Sequence, residues 1–276
     1  MKFISLFAGI GGLDLGLERA GMECVAQVEI DDFCQKVLTK HWANVPKYKD
    51  VRDVGKHNLP PADLICGGFP CQDVSLAGKR KGLEGKRSTL WSEFFRIACE
   101  VQPRWVIIEN VSGLFSSDDG QFFTKILREL SEVGYFVEWE VIPAFFVGAI
   151  QSRERVFIIA NSQGASTRTI MEQSGEWKSQ IKSGRCDSDS TRFVAQGWKD
   201  EPQSRMVRVA NGLSSGMDRR IKACGNAVVP QVAEFIGHCV MKAETCLTQH
   251  APDVAKAAVQ KGVLHKNRIG KCAGVA

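Results

Sequence analysis

The first 160 residues alternate short apolar runs with segments whose apolar positions recur every three or four residues. The runs at Phe3–Phe7, Cys24–Val28, Leu64–Cys66, Trp105–Ile108, Phe136–Ile142 and Val156–Ala160 read as strands. Helical periodicity occupies Leu13–Ala20, Asp32–His41, Leu90–Glu100 and Phe122–Val133. Strand and helix in alternation build βαβ units, so the pattern predicts an α/β fold with a doubly wound, mostly parallel sheet. At Asn161 the texture changes. Ser162 to Arg192 is rich in Ser, Thr, Gln, Gly and charge and offers little to a core, which suits a small irregular subdomain, a loop or both. Order is expected to return near Met206, and Gln231–Glu244 reads as a helix opened by Pro230. The chain therefore divides into a sheet domain (1–160), a small irregular region (161–224), a helical return to the sheet (225–246) and a basic tail (247–276).

Composition agrees with a folded protein: of 276 residues, 44% are hydrophobic and 24% charged. Mean hydropathy is −0.13, and no apolar run approaches the ~18 residues of a membrane span. The apolar stretch Ile4–Phe7 is too short for a signal peptide, so a cytoplasmic protein without a membrane partner is expected. There are ten cysteines but no C-x-x-C pair and no H-E-x-x-H, which predicts reduced thiols and no metal site.

Net charge is only +5, but it is unevenly spread. Lys79–Arg87 (KRKGLEGKR) carries five positive charges and one negative, and basic residues also outnumber acidic ones over 162–222 and from Lys242 onward. Positive loops over an otherwise acidic body suit a phosphate-backbone partner, though solvated lysines give the same count.

Three segments carry candidate chemistry. Phe7-Ala8-Gly9-Ile10-Gly11-Gly12 joins the first strand to the first helix, where glycines serve either a tight turn or a ligand at the helix N-terminus. The dinucleotide fingerprint would place a third glycine where Asp14 stands. Glu29, at the end of the second strand, is placed to accept both hydrogen bonds of a ribose diol. An adenosine without a pyrophosphate fits this better than a nicotinamide cofactor, and S-adenosylmethionine is the candidate. In Leu64–Gln72, Cys71 follows a strand, a Gly-Gly pivot and a proline, with Lys79, Arg80 and Lys81 soon after; nearby cations favour the nucleophilic thiolate. The third segment, Trp105–Val111, ends a buried strand on Glu109, which could serve as a cap, as an ion-pair partner or as an acid with a raised pKa. Arg153 and Arg155, just before the strand VFIIA, share one side of an extended segment.

Together these pieces resemble the DNA cytosine-5 methyltransferases. The matching segments are FAGIGGLDLGLERAG with Glu29, GGFPCQDVSLAGKRKG, ENV at Glu109–Val111, QSRERVFII at Gln151–Ile159 and GNAVVPQVAEFIG at Gly225–Gly237, in the family's order. The resemblance implies a sheet of the S-adenosylmethionine-dependent methyltransferase (Rossmann-like) type, with 1–160 as catalytic and cofactor domain and 161–224 as a small target-recognition region. It implies that the Cys71 thiolate adds to cytosine C6, with Glu109 at N3 and Arg155 and Arg153 beside the base, which must be flipped from the duplex. For the cofactor it implies Phe7, Gly9, Gly11, Gly12, Glu29 and Ile30, then Asp50 and Val51 at the adenine, Pro70 and Leu90 in the wall, and Asn226 and Ala227 near the methionine end. It implies DNA contacts at Gln72, Ser75, Lys79, Arg80, Lys81 and Arg208. A monomer acting on double-stranded DNA in a bacterial or phage setting is expected, with a cognate restriction endonuclease as a further partner.

One region departs from the family. Only about 45 residues separate Ala160 from Arg205, where the family carries a longer recognition region, and the arginine-bearing motif before GNAVVP is reduced to Arg208 in RMVRVANGL. A short or relaxed target site is the corresponding expectation. Three other readings remain: an RNA (tRNA) cytosine-5 methyltransferase with the same chemistry, a DNA-binding relic without catalysis, and a nicotinamide oxidoreductase, which Asp14 disfavours.

Overall fold

The computed structural model describes residues 1–70, 86–149, 153–167 and 215–260. Seven strands form one sheet: β1 (Lys2–Leu6), β2 (Glu23–Val28), β3 (Lys47–Tyr48), β4 (Leu64–Gly67), β5 (Trp105–Asn110), β6 (Phe136–Pro143) and β7 (Glu154–Asn161). Their order across the sheet is β3-β2-β1-β4-β5-β7-β6. The pairings from β3 to β5 are parallel, and β7 runs antiparallel to both β5 and β6. The sheet is thus mostly parallel, as the alternation predicts. β3 has no counterpart in the hydrophobic pattern because it is two residues long and polar; β2 recruits it at Gln27↔Lys47 and Val28↔Tyr48.

The described helices are α1 (Gly12–Arg19), α2 (Asp32–His41), α3 (Lys86–Val101), α4 (Gln121–Glu132), α5 (Ser215–Asn226) and α6 (Pro230–Gln260). α2 has the bounds its periodicity predicts, fixed at the N-terminus by the Asp31 carboxylate, which accepts from the amides of Phe33 and Cys34, both at 2.9 Å. α4 buries Phe122, Ile126 and Leu130, one stripe of an amphipathic helix. α6 begins at Pro230 and runs well beyond the expected Glu244, while α5 was not singled out by periodicity.

Two cores lie on the two faces of the sheet. One packs Phe3, Leu64, Trp105 and Ile107 against Leu13 and Leu17 of α1 and Val232, Ile236 and Val240 of α6. The other packs Ile4, Ile65, Val106 and Ile108 against Trp91, Phe94 and Ile97 of α3 and Ile126 and Leu130 of α4. Alternate residues of each central strand serve alternate cores, so these strands read as unbroken apolar runs.

The α1–α6 contact depends on absent side chains. A β-carbon on Gly16 would lie 2.3 Å from the Pro230 carbonyl oxygen, and one on Gly12 2.3 Å from that of Val228. Only glycine lets the backbones meet this closely. A polar clamp adds to it: Trp105 Nε1 donates to Glu244 of α6 at 2.8 Å, and Arg104 pairs with both Glu244 and Asp63. Among the described residues no helix is long and apolar enough to cross a membrane.

Candidate active site

The carboxyl ends of β1, β2, β4 and β5 meet along one edge of the sheet, where open α/β folds bind ligands. A cavity of about 380 Å³ opens there, lined by Phe7, Glu29, Ile30, Asp50, Val51, Pro70 and Leu90, together with Val28, Lys49 and Arg52. The first seven are residues the sequence reading singled out from widely separated segments. The last three it missed. Arg52 carries one usable signal, its place two residues after Asp50.

The chain reaches this cavity through backbone geometry. After β1, Phe7 and Gly9 take positive φ (54° and 57°), and Gly11 (85°) opens α1 in the left-handed region. The turn is tied to Glu29: the Gly9 amide donates to Glu29 Oε2 at 2.6 Å and the Asp31 amide to Oε1 at 2.8 Å. A carboxylate has about four lone-pair positions, so each oxygen keeps capacity for a further donor. Across the cavity Asp50 accepts from the Arg52 amide and holds its guanidinium at 2.9 and 2.5 Å. These hydrogen bonds keep the Asp50 carboxyl ionised, with a pKa of about 2. Phe7, Val51 and Leu90 supply apolar wall, and Ile30 is 61% exposed at the rim. Two acceptors across a half-apolar slot fit an adenosine: a diol at Glu29, an exocyclic amine at Asp50 and an apolar ring between. Asn226 ends α5, and Ala227 follows it just ahead of Val228, whose backbone approaches Gly12 closely.

One acidic group stands in unusual surroundings. Glu109, at the end of β5, is 8% exposed, and its Oε1 lies 2.9 Å from Arg155 Nε. Burial pushes its pKa up to about 7, opposed by the Arg155 and Arg153 guanidinium groups. Both arginines therefore act on one carboxyl. Arg153 donates through Nη1 to the Cys224 carbonyl at 3.3 Å. Its Nε and Nη2 are buried with no hydrogen-bond partner among the described residues. Burial and the charge of Arg155 pull its pKa below the ordinary value.

The cysteine-bearing loop leaves β4 toward this carboxyl. A β-carbon on Gly68 would sit 2.5 Å from Glu109 Oε2, so the Gly-Gly pivot is also a clearance. Asn110 Nδ2 donates to the Phe69 carbonyl at 3.3 Å, a contact not anticipated from sequence. Pro70 then lines the cavity, and Cys71 lies outside the described residues, as do Gln72, Ser75, Lys79, Arg80, Lys81 and Arg208. Of the other thiols, burial pushes those of Cys24 and Cys66 far up, Cys34 to about 12 and Cys239 to about 11. None of those four is a ready nucleophile near neutral pH.

The chain is 41% identical over 160 residues to the Type II methyltransferase M.FnuDI of Fusobacterium nucleatum, covering 58% of this chain and 46% of that protein. It is 38% identical over 159 residues to the Type II methyltransferase M.HhaI of Haemophilus parahaemolyticus, covering 58% and 48%. The chain thus spans about half the length of these relatives. Among solved structures, a prophage-encoded E. coli protein described as a DNA modification methyltransferase superposes with a TM-score of 0.52 at 28% identity, over 60% of this chain and 48% of that one. The family model for C-5 cytosine-specific DNA methylases matches residues 1–208, three quarters of the sequence, and the chain belongs to that family.

Proposed function

We propose that this chain transfers a methyl group from S-adenosylmethionine to C5 of cytosine in double-stranded DNA. The observation that carries the reading is the placing of the Glu109–Arg155 pair against Gly68, where a β-carbon would lie 2.5 Å from Glu109 Oε2, on the segment that leads to Cys71. Cytosine C5 is a weak nucleophile and must be activated. The Cys71 thiolate forms a bond to C6, and the C5–C6 electron pair moves into the ring as Glu109, protonated below about pH 7, donates at N3. Arg155 holds the base at O2 and keeps Glu109 aimed. Arg153 offers buried, unused donors beside the same carboxyl for a further substrate oxygen. The cofactor, held by Glu29, Asp50 and the apolar wall, supplies an electrophilic methyl group. C5 takes the methyl and loses its proton, and the Cys71 thiolate leaves as the aromatic ring reforms. The base must leave the stack to reach this pocket. Gln72, Ser75, Lys79, Arg80, Lys81 and Arg208 contact the DNA, residues 161–224 read the target, and a restriction endonuclease of matching specificity is the biological partner.

The test is direct. The protein is incubated with methyl-labelled S-adenosylmethionine and either unmethylated duplex DNA or total tRNA, and the nucleosides are identified. Labelled 5-methyldeoxycytidine is the expected product. Label confined to 5-methylcytidine moves the substrate to RNA, and no label in either overturns the reading.

A further inference from the structure

Asp14 stands where a dinucleotide-binding turn would carry its third glycine, and the reaction outlined above gives it no role. It is fully buried. Its carboxyl accepts from Ser5 Oγ of β1 at 2.9 Å, Gln27 Nε2 of β2 at 2.7 Å and Cys24 Sγ of β2 at 3.7 Å. Ser5 and Gln27 are direct partners in the β1–β2 ladder, so one carboxyl in the first turn of α1 clasps both strands at the same level. A register shift makes this possible. Phe3 pairs with Cys24 but Ile4 pairs with Ala26, leaving Val25 as an extra residue. Strand alternation would put Cys24 and Gln27 on opposite faces, and the extra residue brings both to the Asp14 side.

The position of the clasp matters. Two residues beyond Gln27 is Glu29; two beyond Ser5 is Phe7; three before Asp14 is Gly11. The ladder continues from the clasp into the turn, with the Ala8 amide donating to the Val28 carbonyl at 3.0 Å and the Gly9 amide to Glu29 Oε2 at 2.6 Å. An apolar residue of the same size would fill the space between α1 and the strands without the cost of desolvating a carboxyl. Burial indeed pushes the Asp14 carboxyl above its usual range, against the Gln27 and Ser5 hydrogen bonds. Packing alone therefore does not account for an acid here.

We infer that Asp14 is a positioning residue: through Ser5 and Gln27 it fixes the spacing between the glycine turn and Glu29, and so aims Glu29 at the ribose of the cofactor. The inference rests on the cofactor reading above. Its test measures the affinity of the full chain for S-adenosylhomocysteine and for the 2′,3′-dideoxyribose analogue, in wild type, Asp14→Asn and Ser5→Ala. In wild type the ribose form binds more tightly. In Asp14→Asn its affinity falls about tenfold, as for loss of charge-assisted hydrogen bonds, while the analogue changes little and the ribose preference collapses. Ser5→Ala, which removes one small donor, moves the same preference in the same direction and decides the matter if Asp14→Asn does not fold. An unchanged ribose affinity, or equal losses for both forms, overturns the inference and leaves Asp14 a packing residue. If wild type binds neither form, the cofactor reading itself has failed, which is a different result.

Discussion

Glu109 and Arg155 form an ion pair at 2.9 Å across the only described strand pairing in which β5 meets an antiparallel neighbour. The pair joins a carboxyl at the end of one strand to a guanidinium at the start of another. Burial opposes the charge of the carboxyl and the arginines favour it, and the balance leaves its pKa at about 7.

A pH dependence follows from that balance. In the proposed reaction Glu109 donates a proton only below its pKa, so kcat/KM is expected to fall as pH rises through about 7. Glu109→Gln should lower the rate about 10²–10⁴-fold and remove the alkaline limb. A pH–rate profile on both proteins checks this, and an alkaline limb that persists in the variant assigns it to another group.

Cys71→Ala is expected to abolish methyl transfer while leaving cofactor affinity within about twofold, since Glu29 and Asp50, proposed to hold the cofactor, belong to other segments. Duplex DNA carrying 5-fluorocytosine should form a denaturant-stable adduct with wild type and none with the variant, because fluorine at C5 cannot leave as a proton. Turnover by the variant would remove Cys71 from the mechanism.

Glu29 has two tasks, holding the Gly9 and Asp31 amides and facing the cavity. Glu29→Ala should weaken S-adenosylmethionine binding by about 1–3 kcal/mol. Titration calorimetry gives the number directly, and an unchanged dissociation constant would place the ribose elsewhere.

Gly16→Val tests the α1–α6 contact. Its side chain meets the Pro230 carbonyl and Ala233, so the helices must separate, at a cost of about 1–3 kcal/mol. Urea unfolding should show an earlier midpoint. Gly21→Val, at a site with no atom within 4 Å but with φ at 90°, separates backbone strain from the clash. No loss in Gly16→Val would mean that close packing there adds nothing.

The hydrophobic pattern was enough for the alternating fold because strands between two helical layers, such as β5 over Trp105–Ile108, are apolar at successive positions. Local motifs were equally legible where function needs residues adjacent in the chain: the glycine turn, Glu29 at the end of β2, and Glu109 at the end of β5. Polar elements were not. β3 and α5 carry little apolar signal, and β3 is held by its pairing with β2.

From the sequence alone came the α/β class and the family resemblance, written in short-range patterns, and the candidate site residues, some from local spacing and the others only through the resemblance. The tertiary structure decided which of them meet. It set Arg155 against Glu109, buried that carboxyl enough to move its proton affinity, added Lys49 and Arg52 to the cavity, and closed Asp14 onto Ser5 and Gln27. Strand order, the antiparallel turn of β7 and a one-residue shift in the β1–β2 ladder determine those contacts. Each depends on the pairing of segments distant in the chain, where spacing along the sequence carries no distance information.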